Sequence, residues 1–180
     1  MAESGVTIEE REGLDMVQVA AWRQTADLAC ALIDETFGVR PPMQPDSVTT
    51  AGKTRILWLG PHRWLIVMPR LPERDLAAEL GAILPTTTAA VVDLGAGRRV
   101  FAVSGARARD LLAKELPIDI HPAKFPPGRC VQSSMSHVGV LVHATAKDSF
   151  ELFVYRAFAQ HFHEMLVDAA LEYGTADAAR

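Results

Sequence analysis

The sequence predicts an α+β protein, one domain over 1–180. It is built as two similar strand–helix–hairpin–helix lobes with mostly antiparallel sheets, at approximately 14–95 and 98–174. Three observations predict this. Short apolar runs and helical stripes follow one another in the same order twice. Turn residues separate them, with Gly60-Pro61-His62 inside the first half and Gly95-Ala96-Gly97 between the halves. The 180 residues, 49% hydrophobic and 22% charged, suffice to bury a core without metals or disulfides.

The elements follow in chain order. LDMVQVAAW (Leu14 to Trp22) is apolar on both faces and predicts a strand. RQTADLACALIDETFG predicts a helix with Ala26, Ala29, Cys30, Ile33 and Phe37 on one face and Gly38 as its stop. VRPPMQPDSVTTAGK reads as a loop. TRILWLG and RWLIVMP read as a hairpin, LPERDLAAELGAIL as a helix opened by Pro72, and AAVVDLG as a strand.

The second half repeats the pattern. RRVFAVS is a strand, with Ser104 as an N-cap for the helix ARARDLLAKEL, whose Ala108, Leu111, Leu112 and Leu116 point inward. A proline-rich loop, PIDIHPAKFPPGRC, comes next. The strands RCVQSSM, VGVLVHA and FELFVYR follow, the last with Phe150, Leu152 and Val154 on one face. AFAQHFHEMLVDAALEYG is a helix with Phe158, Phe162, Met165 and Ala169 on its apolar stripe and Gly174 as a cap, and TADAAR is a frayed tail.

The totals exclude several function classes. A net charge of −4 offers no basic stripe for nucleic acid. No apolar run reaches the ~20 residues of a membrane-spanning helix. Two cysteines are too few for a secreted disulfide scaffold, and the acidic, polar MAESGVTIEEREG carries no signal peptide, so a reduced cytoplasmic location is expected.

The motif fragments carry no chemistry. AGKT ends like a phosphate loop, but Ser47 stands where the first glycine belongs and a strand follows. GAGRRV lacks the third glycine of a dinucleotide fingerprint and reads as a turn. HEMLV has Val167 where a zinc-protease histidine belongs. His161 and His163, two apart, point away from each other and read as solvated or partner-facing. No catalytic, cofactor-binding or metal-ligating residue is assigned. The remaining pairing is His121 with Cys130, set against simple burial of Cys130, as for Cys30. The loop itself looks mechanical. Its prolines stiffen His121, Lys124, Phe125, Pro126, Pro127 and Arg129 into few poses, fitting either a partner interface or a rigid cover over a sheet edge.

A resemblance separates these readings. VVDLGAGRRVFAVSGARARDLLAKELPIDIHPAKFPPGRCVQSSM is similar to the core signature of the gamma subunit of heterotetrameric sarcosine oxidase. The matching positions include Asp93, Ser104, Gly105, Arg109, Asp119, His121, Phe125, Gly128, Cys130 and Gln132. Gly95-Ala96 and Ala106 depart from the family pattern. The resemblance implies a fold like the folate-binding domain of aminomethyltransferases. It implies a non-catalytic accessory subunit, inactive alone, that packs on the alpha and beta subunits of an enzyme demethylating sarcosine to glycine. FAD, FMN, NAD and tetrahydrofolate are then implied on those partner subunits. The rival is a tetrahydrofolate-binding one-carbon transferase. Its family places an essential aspartate in the hairpin that here reads SSMSHVGVLVHA, without Asp or Glu. A third reading is a stand-alone paralogue with a different partner.

Overall fold

The computed structural model describes residues 5–177. It divides into two compact units, one spanning 13–96 and the other combining 5–12 with the chain from Gly97 onward. The first described strand, β1 (Val6–Glu10), therefore joins the second unit and lies outside both expected lobes. Val6 and Ile8 are fully buried, and alternate with half-buried Thr7 and Glu9. The sequence reading passed over this alternation because the stretch is acidic.

The first unit contains β2 (Leu14–Ala21), α1 (Ala26–Phe37), β3 (Val48–Ala51), β4 (Thr54–Gly60), β5 (Arg63–Pro69), α2 (Leu76–Ile83) and β6 (Ala89–Asp93). Its sheet is antiparallel throughout, in the order β3-β4-β5-β2-β6. Every second strand residue faces the helices. Val17, Val19, Ile56, Trp64 and Ile66 thus share a core with Ala29, Cys30 and Ile33 of α1 and Leu76 and Leu80 of α2. Gly38 ends α1 at φ 65°, donating its N–H to the Asp34 carbonyl. Two boundaries differ from expectation. The helix expected from Pro72 starts after Asp75, whose carboxylate accepts the Ala78 N–H at 2.9 Å and so caps it. The expected loop before Thr54 contains β3, which turns into β4 through Gly52 at φ 58°. AGKT is therefore a hairpin turn.

The second unit adds β7 (Arg98–Ser104), α3 (Ala108–Glu115), β8 (Cys130–Met135), β9 (Val138–Ala146), β10 (Ser149–Tyr155), α4 (Ala159–Ala170) and β11 (Thr175–Asp177). Its sheet runs β11-β1-β7-β10-β9-β8, antiparallel except for the β1–β11 pair. Phe101, Val103, Val142, Phe150, Leu152 and Val154 pack against Leu111 and Leu112 of α3 and Phe162, Leu166 and Ala170 of α4. The stripe of α4 is thus centred on Phe162, Leu166 and Ala170, while Phe158 is half exposed. Ser104 ends β7 instead of capping α3, which starts after Arg107. The start of the expected tail is a strand, because Thr175–Asp177 find the free edge of β1; residues 178–180 lie outside the described part.

The two units share one plan: strand, helix, three-stranded meander, helix, strand. In both sheets the last strand of the meander lies beside the unit's opening strand, β5 on β2 and β10 on β7. In the second unit β1 takes the place beside β7 that β6 holds beside β2, and β11 moves one position outward.

Candidate interaction site

Residues 117–129 connect α3 to β8 and hold all six expected contact residues. The His121 carbonyl accepts N–H groups from Lys124 and Phe125, both at 2.8 Å, which closes a tight turn. Asp119 Oδ1 accepts the His121 N–H at 2.9 Å, and His121 Nδ1 accepts that of Ala123 at 3.3 Å. Gly128, at φ 82°, donates its N–H to the Ala144 carbonyl, and Ala144 donates back to Arg129 at 2.9 Å. Both ends of the loop are therefore tied, one through its own turn and one to β9.

The loop sorts its side chains. His121, Lys124, Pro126 and Pro127 are exposed and Arg129 is half-buried. Phe125, expected at the surface, is only 4% exposed and joins the core with Leu116 and Ile120. Burying a phenylalanine contributes roughly 1.5–3 kcal/mol, more than the same ring on a loop surface would. Phe125 anchors the loop and is not available as a contact.

Arg109 on α3 holds the loop from beneath. Its Nε donates to the Lys147 carbonyl at 2.8 Å, its Nη1 to the Ile120 carbonyl, and both Nη atoms reach the Phe125 carbonyl at 3.3 Å. The Asp148 carboxylate lies 3.5 Å away and the Phe150 ring centroid 4.9 Å away. A planar guanidinium with five fixed donors suits such a junction, where an ammonium would not. One side chain thus binds the loop to the β9–β10 turn.

Other polar residues come together in ways the sequence reading missed. Cys130 stands in register with His143, and His143 with Glu151, across β8, β9 and β10. All three are buried, and His143 Nδ1 lies 3.5 Å from Glu151 Oε2. The neighbour of Cys130 is therefore His143, while the bonds of His121 stay within its loop. Counting back from the hairpin turn at Ser136-His137 (φ 43° and 68°) would have found this pair. At that turn Ser136 Oγ donates to Glu115 Oε2 at 2.7 Å, so α3 brings a carboxylate to a hairpin that has none of its own. His163, expected to be solvated or partner-facing, is half-buried and stacks on Phe101, with ring centroids 5.5 Å apart. Among the described residues no group of three or more His, Cys, Asp or Glu is placed to hold a metal ion.

The first unit has a polar cleft of about 260 Å³ lined by Asp15, Arg70, Arg74, Asp75 and Asp93. Its charges pair with one another or with near neighbours. Arg70 Nε donates to Asp15 at 2.9 Å, which raises the arginine pKa further. Arg74 grips Glu79 at 2.6–2.9 Å. Asp75 is engaged as the cap of α2, and Asp93 accepts the Gly95 N–H.

Comparison with known proteins adds the following. Residues 23–172 match the model of the "Sarcosine oxidase, gamma subunit family". Sarcosine oxidase subunit gamma of Corynebacterium sp. (strain P-1) is 31% identical over 170 residues, 94% of this chain and 83% of that protein. The same subunit of an Arthrobacter sp. is 34% identical over 146 residues, 81% of this chain and 71% of that one. A chain of the heterotetrameric sarcosine oxidase from Corynebacterium sp. U-96, solved with pyrrole 2-carboxylate, superposes with a TM-score of 0.87 at 28% identity, covering 99% of this chain and 90% of that one. Glycine cleavage system aminomethyltransferase T from Bartonella henselae superposes at 0.66 and 14% identity, covering 97% of this chain and 48% of that one, which shows a common fold.

Proposed function

Because the chain belongs to the sarcosine oxidase gamma subunit family, we propose that it is an accessory, non-catalytic subunit of a heterotetrameric sarcosine oxidase, docked on the large alpha and beta subunits in the cytoplasm. The observation that carries this reading is likeness over 99% of the chain to a component of a heterotetrameric enzyme. FAD, FMN, NAD and tetrahydrofolate belong to the partner subunits in this reading, and this chain adds no reacting group. The loop supports it from below. It offers His121, Lys124, Pro126, Pro127 and Arg129 in a conformation already fixed by internal bonds, so little ordering entropy opposes docking.

The transferase reading lacks its reacting acid. The hairpin β8–β9 carries no carboxylate, and Glu115, which reaches its turn, is engaged by Ser136. Co-expression with the alpha and beta subunits from the same genome, with a purification tag on this chain, tests the proposal. Recovery of a complex of all subunits is expected, and the isolated chain should show no thermal shift with tetrahydrofolate. Binding at 100 times the Kd would stabilise by about 2.7 kcal/mol. Recovery of this chain alone at every ionic strength would refute the docking role, and a folate shift would favour the transferase.

A further inference from the structure

Arg98 opens β7 and is only 8% exposed. A guanidinium keeps its charge when buried, so it calls for an anion or a set of carbonyl oxygens around it. Among the described residues Arg98 has neither. Its Nε is buried without a hydrogen-bond acceptor, and no carboxylate pairs with it. Other arginines are served. Arg99, the next residue, takes Glu10 at 3.1 Å, Arg70 takes Asp15 at 2.9 Å and Arg74 takes Glu79 at 2.6 Å.

What Arg98 does have is Tyr155. The two stand in register across β7 and β10, and the guanidinium carbon lies 4.7 Å from the ring centroid. Burial pushes the guanidinium pKa below its ordinary value, and the Tyr155 phenol partly opposes this. A ring face and a phenol soften the loss of water, but they leave the donor fork without a counter-ion. Tyr155 is itself 52% exposed and ends β10, where Arg156 donates its N–H to the Gly97 carbonyl at 2.9 Å. The backbone there is held, while the ring, half in water, can change rotamer and uncover the guanidinium.

We infer that Arg98 and Tyr155 form a binding site for the carboxylate of a small aliphatic acid, with the Arg98 fork as its charge partner and Tyr155 as a movable cover whose phenol also donates to it. A planar fork meets both oxygens of a carboxylate in two parallel hydrogen bonds. One buried guanidinium balances one negative charge, which favours a carboxylate over a phosphate dianion. The dry surroundings strengthen the pair relative to one at the surface. This goes beyond the accessory-subunit reading, which gives the chain no ligand, and either stands without the other.

The test titrates the full-length chain with sodium acetate against sodium chloride at equal ionic strength. Heteronuclear NMR reads the Arg98 Nε–H and the Tyr155 ring, and thermal unfolding reads stability. Acetate is expected to move both sets of signals along one saturable curve and to raise Tm above the chloride control. Inorganic phosphate is expected to bind at least severalfold more weakly. R98M keeps the stem without the charge, and acetate should then do no more than chloride. R98K keeps a charge without the fork and should weaken acetate severalfold, which decides the matter if R98M does not fold. Y155F keeps the ring without the phenol and should weaken acetate to a lesser degree. An acetate response that is absent, that rises without saturating, or that survives undiminished in R98M or R98K would overturn the site. Equal binding of phosphate would overturn its selectivity, and unchanged binding in Y155F would overturn the role of the phenol.

Discussion

Phe125 shows where sequence and structure part at the scale of one residue. Flanked by Lys124 and two prolines it reads as exposed, because local composition is all that the sequence offers. It packs with Leu116 and Ile120 in the core, while Arg109 on α3 bonds the Ile120 and Phe125 carbonyls. Phe125→Ala should therefore cost about 3–5 kcal/mol in urea unfolding, a core-sized penalty, where an exposed ring would cost little. Cys30 was legible: its place in a helical apolar stripe predicted burial, and it is fully buried. Burial raises its thiol pKa above the ordinary value, with Arg40 partly opposing. The unfolded chain then loses this proton first as pH rises above about 8.5, so the native state holds more protons there. The thiol's contribution is complete below that pH and is lost on going up. Unfolding free energies between pH 7 and 10 should fall with pH, more steeply in the wild type than in Cys30→Ala.

At the scale of elements, most of the fold was readable. Strands with period-2 or continuous apolar runs and helices with four-residue stripes appear where periodicity places them. The misses have particular causes. β3 has only Val48 and Ala51 as apolar residues and needs β4 to form. β11 needs the edge of β1. The row Cys130–His143–Glu151 depends on pairing register, which no local window contains. The loops leading from the first helix to the meander correspond in the two units, and in each a side chain from outside the loop donates to a loop carbonyl. Trp64 Nε1 donates to the Pro42 carbonyl at 2.8 Å in the first unit, and Arg109 does this work in the second. Another junction ties β1 to α3. Gly105 sits at φ 121°, and a Cβ there would lie 2.5 Å from the Gly5 carbonyl oxygen, which also accepts the Arg107 N–H. Gly105→Ala should destabilise the second unit by about 2 kcal/mol or more, because neither the dihedral nor the backbone contact can yield. Hydrogen exchange at β1 and β7 amides would register the loss locally.

At the scale of the whole molecule, the repeated plan was visible in the sequence but its closure was not. The two expected lobes are sequential, whereas the second unit takes its inner strand β1 from ahead of the first. Deleting the residues before Gly13 removes fully buried Val6 and Ile8 and bares the edge of β7, leaving β11 without a neighbour. Such a chain should give low soluble yield and faster exchange in β7 than the intact protein, since an unpaired central strand is a template for aggregation. A truncated protein with intact protection in β7 would show that β1 is dispensable.

The interleaved order of strands also shapes how the polypeptide is born. β1 leaves the ribosome well before its antiparallel neighbour β7, which follows only about 90 residues later. At about 5–20 residues per second that is a wait of roughly 4–18 s. Meanwhile the intervening segment has everything its own five-stranded sheet requires. The nascent chain thus completes its middle before its beginning, and Val6 and Ile8 spend that interval uncovered, in the span when a holding chaperone would matter most.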